Sequence, residues 1–188
     1  MTPPPTPMTT RRGCRKTVSS APYYTAGANV VTAIGFALLL VVASEFAGGI
    51  AGWRQGLFWG LGGFAAFTLA PGLGLPPELP GMPAADLVAR QVWWVATVAL
   101  TAGGIALVAF GRSAALAAVG VALIVLPHVI GAPQPDSHDT LVPADLHHRF
   151  VVAVTVTNLV FWVALGAAVG VLRTRFAEAL GEPRTSLA

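Results

Sequence analysis

Charge is what this 188-residue chain has least of: Asp, Glu, Lys and Arg make up 10% of it. An ordinary soluble domain carries about 25%. Hydrophobic residues make up 55% and mean hydropathy is +0.71. The few charges gather in the tails and in short connections, leaving long blank stretches between them. That excludes a water-soluble enzyme, a nucleic-acid module and a disordered chain. The single cysteine, Cys14, excludes a disulfide framework and any cysteine-built metal site. Catalytic signatures are lacking as well. There is no His-Glu-x-x-His, no Gly-rich phosphate loop, and no Ser/His/Asp set in a context that would orient it. The expectation is therefore not an enzyme, with no tightly bound cofactor and no nucleic-acid partner. The net charge of +3 and pI near 9.8 bear on membrane topology, because the surplus lies near the ends. The chain reads as an all-α integral membrane protein whose first partner is the lipid bilayer.

Crossing the hydrocarbon core takes about 20 mainly apolar residues in a helix. Five stretches meet that length: about 28–50, 55–74, 91–110, 113–131 and 150–172. The alternation of a β-barrel is absent. Residues 1–22 read as a disordered or atypical tail, 23–172 as the transmembrane domain and 173–188 as a cytoplasmic tail. Gly48, Gly52, Gly56 and Gly60 recur every fourth position, as do Gly166 and Gly170. That spacing lets two helix backbones approach closely. Trp53, Trp59, Trp93, Trp94 and Trp162 lie mostly near span ends, where indoles favour the headgroup boundary.

The positive-inside rule orients the spans. Arg54, Arg112, Arg173 and Arg175 fall on one side, which should be cytoplasmic together with the carboxyl terminus. The opposite loops carry Glu78, Asp86, Asp136, Asp139 and Asp145; Arg90 and Arg149 there stand four residues after an aspartate, in position to pair with it. Arg11, Arg12, Arg15 and Lys16 conflict with this, since five spans would put them outside. Either a helix that should precede the first span is missing, or the tail is carried across. No apolar h-region makes the tail a signal peptide.

The two long outer loops look like a duplication. Leu69-Ala-Pro71 through Pro76-Pro77-Glu78 answers Leu126-Pro127-His128 through Gly131-Ala-Pro133. Asp86 followed by Arg90 answers Asp145 followed by Arg149. Each aspartate can complement a helix start, and each arginine can support the same turn. The pattern predicts a parallel repeat of two helical hairpins, a plan common in transporters. It leaves the first span unpaired and so favours a missing sixth, amino-terminal helix.

The groups able to carry chemistry sit at one mouth. Pro127 removes a helix hydrogen bond near the membrane boundary, so the fourth span is expected to bend there. His128 follows it, and the loop beyond holds Asp136, His138, Asp139, Asp145, His147 and His148. All four histidines lie within this segment. Imidazole and carboxylate suit divalent ions such as Co²⁺, Ni²⁺ and Zn²⁺. The alternative is an ordinary solvated loop. Adjacent helical residues point about 100° apart, so His147 and His148 cannot easily share one ion. Glu45 is the one carboxylate inside a span, close enough to its end to reach the interface.

Three stretches carry a family resemblance: Arg54-Gln-Gly-Leu-Phe-Trp59-Gly-Leu-Gly-Gly-Phe, Leu-Pro76-Pro77-Glu78-Leu-Pro80-Gly81, and Arg90-Gln91-Val-Trp93-Trp94. With Pro127-His128 and Phe161-Trp162, they closely resemble the CbtA family over roughly residues 23–172. CbtA is the multi-helix subunit of a predicted cobalt transporter of cobalamin-making bacteria. The resemblance implies a multi-pass protein of the bacterial inner membrane that takes up cobalt(II) as transported substrate. It also implies a small single-helix partner of CbtB type with a histidine-rich tail; a homo-oligomer stays open. The Pro-Glu loop, with Glu78, and His128 would line the entry path. Pro71, Pro127, Asp86, Arg90, Asp145, Arg149, Trp93 and Trp94 would be structural. Members usually begin with a further apolar helix, and residues 1–22 do not resemble it. A non-transporting membrane scaffold or assembly protein is the alternative reading.

Overall fold

The computed structural model describes residues 12–179, and every regular element among them is helical. The order is α1 (Arg12–Glu45), α2 (Trp53–Phe64), a π-helical turn (Ala65–Leu69), α3 (Ala70–Gly74), α4 (Leu87–Phe110), α5 (Ala114–Ile130) and α6 (Ala144–Ala179). Four stretches are long and apolar enough to cross a membrane: Pro22–Glu45, Trp53–Gly74, Leu87–Phe110 and Ala144–Ala179. The fifth, α5, has 17 residues. At 1.5 Å per residue it covers about 26 Å, the short end of what spans a bilayer. The fold is that of an all-α membrane protein.

Local chemistry moves several expected boundaries. The first span stops at Glu45, not at residue 50, because Gly48 and Gly49 take φ of +88° and +82°. The Gly49 amide donates back to the Ser44 carbonyl at 2.7 Å, closing the helix end. At its other end α1 includes residues 12–22, which the sequence reading assigned to a tail. Helix α4 begins at Leu87, earlier than residue 91, because the Asp86 carboxylate accepts from the Ala89 amide at 2.9 Å and caps the first turn. Ser113 caps α5 in the same way, and Gly131, at φ +88°, ends it. Helix α5 does not stop at Pro127 but continues to Ile130. Helix α6 has 36 residues and overruns the expected 150–172 at both ends, reaching into the presumed cytoplasmic tail as far as Ala179.

The second span carries a proline inside it, and the structure shows the accommodation. Pro71 has no N–H to give its helix. The turn before it widens to π geometry, with the Ala70 amide donating to the Ala65 carbonyl. Such bulges absorb one residue without ending the helix. Pro71 itself is buried.

The chain divides into two units, residues 1–39 and 40–188. In the first, the side chains of α1 from Pro22 to Leu39 are exposed or half-exposed on all sides. An apolar helix with no polar stripe suits a lipid surround. The second unit is built on two close helix pairs. Helices α2 and α6 run antiparallel through the glycines expected to pack. A Cβ on Gly56 would meet the Gly166 carbonyl, and one on Gly170 would lie 2.6 Å from the Gly52 oxygen. Gly48 is not part of this seam; it lies in the turn after α1, with open space around it. The other pair, α4 with α5, meets at Gly104 and Gly120, where each Cβ would fall about 2.5–2.6 Å from the other's carbonyl oxygen.

These pairs cut across the expected hairpins. The sequential plan of helix, proline-rich loop and capped helix holds. However, α5 and α6 do not pack on each other among the described residues, and the second span meets α4 mainly through its π turn and α3. Small residues mark the partners: the glycine face of α2 is matched on the distant α6, and that of α4 on α5, which follows it after residues 111–113.

Candidate functional site

One end of the second unit gathers the ends of α3 and α5 with the starts of α4 and α6. Trp93, in the second turn of α4, is its centre and is buried. Its indole fits because Gly74 has no side chain: a Cβ there would lie 2.7 Å from the indole Cζ2 and 3.1 Å from the Ala132 Cβ. The His128 ring meets Trp93 edge-on, with centroids 6.1 Å apart and planes at 72°. His128 is half-buried and Pro127 before it is buried. Below Trp93, the Thr97 hydroxyl donates to the Trp93 carbonyl at 2.8 Å. Trp93 Nε1 and Thr101 Oγ1 are buried without a hydrogen-bond partner among the described residues.

Beside this lies the segment Pro76-Pro77-Glu78. The Glu78 carboxylate pairs with Arg90 at 3.2 Å, and both side chains are close to three-quarters buried. The expected Asp86–Arg90 pair is therefore not formed: Asp86 is committed to capping α4, and Arg90 reaches across to the loop. The Pro77 carbonyl is 3.2 Å from His147 Nε2. A carbonyl can only accept, so Nε2 carries the hydrogen and a neutral ring keeps its lone pair on Nδ1. Asp145 and Arg149 do pair, at 3.1 Å, fully at the surface.

The structure thus brings His128 to Trp93, and Glu78 and His147 to one strap of chain. It leaves Asp136, His138, Asp139 and His148 exposed. The Asp139 amide is held by the Ser137 hydroxyl at 3.1 Å, a local turn. Among the described residues, no three His, Cys, Asp or Glu side chains converge as a metal site.

The other end carries Glu45 in an ion pair with Arg173, and Arg54 over the Trp53 ring at 5.6 Å. Phe110, closing α4, stacks on Trp59 at 6.1 Å. Two tryptophans do not serve as interfacial anchors. Trp162 is 2% exposed, seated against Gly60 and Gly63, with its Nε1 donating to Thr68 Oγ1 at 3.2 Å. Trp93 is the second, packed as described. Trp94 keeps a partly exposed face, 6.2 Å from Phe67.

Sequence reasoning missed the buried hydroxyls of Thr97 and Thr101, the half-buried Thr68 and the Gly104–Gly120 contact. Trp93, Thr97 and Thr101 are spaced four apart and share a helix face, which could have been read. Gly104 and Gly120 stand outside any repeating spacing, so their pairing had no signal.

Residues 12–174 match the family described as probable cobalt transporter subunit (CbtA). The match begins within α1, earlier than the resemblance at residue 23, and runs through α6. No curated protein and no solved structure matches the chain. The family is that of a transporter subunit, and a match over so much of the helical chain is sufficient: this protein belongs to the CbtA family.

Proposed function

We propose that this chain is the membrane subunit through which a divalent transition metal, cobalt(II), is taken up for cobalamin synthesis. The observation that carries the reading is the family match, which runs from the start of α1 to residue 174 in α6. The chemistry of one end supports it. His128, Glu78, Asp136, His138, Asp139, His147 and His148 supply imidazole and carboxylate at or near a single mouth. Such ligands suit borderline divalent ions. They act in succession along the entry, rather than as one closed cage. His128 stands against the buried Trp93.

The mouth faces away from the cytoplasm in the bacterial inner membrane. Arg54, Arg112 and Arg173, with the carboxyl terminus, face inward. The partner is a small single-helix subunit of CbtB type whose histidine-rich tail delivers the ion. The test is cobalt accumulation by cells expressing the chain with that partner. Accumulation should rise over empty cells, and His128→Ala should lower it at unchanged protein level. Unchanged uptake in the variant would remove His128 from the path. No accumulation together with no saturable Co²⁺ binding by purified protein would leave a scaffold.

A further inference from the structure

The strap Pro76–Glu78 is tied down from two helices at once. Arg90, the fourth residue of α4, holds the Glu78 carboxylate, and His147, the fourth of α6, holds the Pro77 carbonyl. Two adjacent prolines fix φ and remove N–H groups, so the strap is stiff and moves as a unit. Its ion pair is of a different kind from Asp145–Arg149. The Glu78 and Arg90 side chains are 27% and 28% exposed, whereas those of Asp145 and Arg149 are 73% and 77% exposed. Water screens a half-buried pair less than an exposed one, so the partner matters more there.

Arg90 has a second partner within reach. Asp86 stands four residues before it on the same helix start, the spacing at which Asp145 and Arg149 do pair. Asp86 spends one oxygen on the Ala89 amide, leaving the other free to accept a guanidinium. We propose that Arg90 is a built-in counter-cation that switches between these two carboxylates. Paired with Glu78, it keeps the strap shut over the mouth. A divalent cation arriving at Glu78 displaces it to Asp86, and the strap loses one of its two ties. The competition is one of charge for charge: the ion supplies two positive charges where the guanidinium supplied one. The inference rests on the reading of this end as a cation entry.

The test is Co²⁺ binding to the purified full chain in lipid nanodiscs by equilibrium dialysis, beside cobalt accumulation in cells. Arg90→Gln removes the competitor and should tighten binding about fivefold, the equivalent of about 1 kcal/mol at a partly buried pair. Glu78→Gln should weaken binding and abolish the gain from Arg90→Gln when the two are combined. Asp86→Asn keeps a good helix cap but takes away the parking place, and should weaken binding. Should Arg90→Gln fail to fold, Arg90→Lys, which loses the planar fork, should tighten binding to a smaller degree. Equal or weaker binding in the folded Arg90 variants, or no saturable binding to the parent chain, overturns the switch. If these shifts appear while cells accumulate no cobalt, the uptake reading falls and the switch stands.

Discussion

The seam between α2 and α6 gives a sharp test of how this protein is held together. Gly170→Ala would place a Cβ 2.6 Å from the Gly52 carbonyl oxygen and 2.8 Å from the Trp53 Cα. Carbon atoms rest at about 3.5–4.0 Å, so the helices must part by about 0.7 Å or more. The obstructing atoms are backbone and cannot rotate away. Gly166→Ala is similar, with Gly60 Cα and N at 2.9 Å. Overpacking of this kind costs about 1–3 kcal/mol. Taking about 2–4 °C per kcal/mol, each substitution should lower the melting temperature in detergent by about 2–12 °C. The control is Gly62→Ala on α2, the other helix of the seam, where nothing lies within 4 Å of the added carbon. It should be neutral or slightly stabilising, since alanine favours helix by up to about 1 kcal/mol over glycine. The assay is thermal loss of the monodisperse peak in size-exclusion chromatography. Equal midpoints for Gly170→Ala, Gly166→Ala and Gly62→Ala would refute the glycine seam.

Two smaller effects can be read with the same assay. Thr68→Val removes the acceptor of the Trp162 indole and should cost about 0.6 kcal/mol, the usual worth of such a bond between membrane helices. In a Trp162→Phe background the same change should cost nothing, and an undiminished loss there would place the effect elsewhere. Asp86→Ala deletes the cap of α4 and should destabilise by about 1 kcal/mol, whereas Asp86→Asn should retain most of it. Equal destabilisation by both would mean that charge, not capping, is what Asp86 contributes.

The apolar runs, the caps and the glycine spacing were legible because each is a local property of the chain. Twenty apolar residues must be satisfied as a helix in lipid, and Asp86 before such a run caps it wherever it folds. The sequence by itself therefore determined an all-α membrane protein, its approximate spans, and the grouping of all four histidines within residues 128–148. It also marked Gly48 to Gly60 and Gly166 to Gly170 as surfaces of close approach, of which Gly48 lies outside the seam. It did not say that these two series meet each other, because lipid leaves helix partners to shape complementarity between distant segments. Only the tertiary structure decided that α2 takes the distant α6, and that α5 packs on α4 and not on α6. It alone buried Trp93 and Trp162, since a tryptophan near a span end suits either an interface or a neighbouring glycine hollow. And it gave Arg90 to Glu78 over the nearer Asp86: the short-range pair is always available, but the loop that presents Glu78 exists only once the helices have packed.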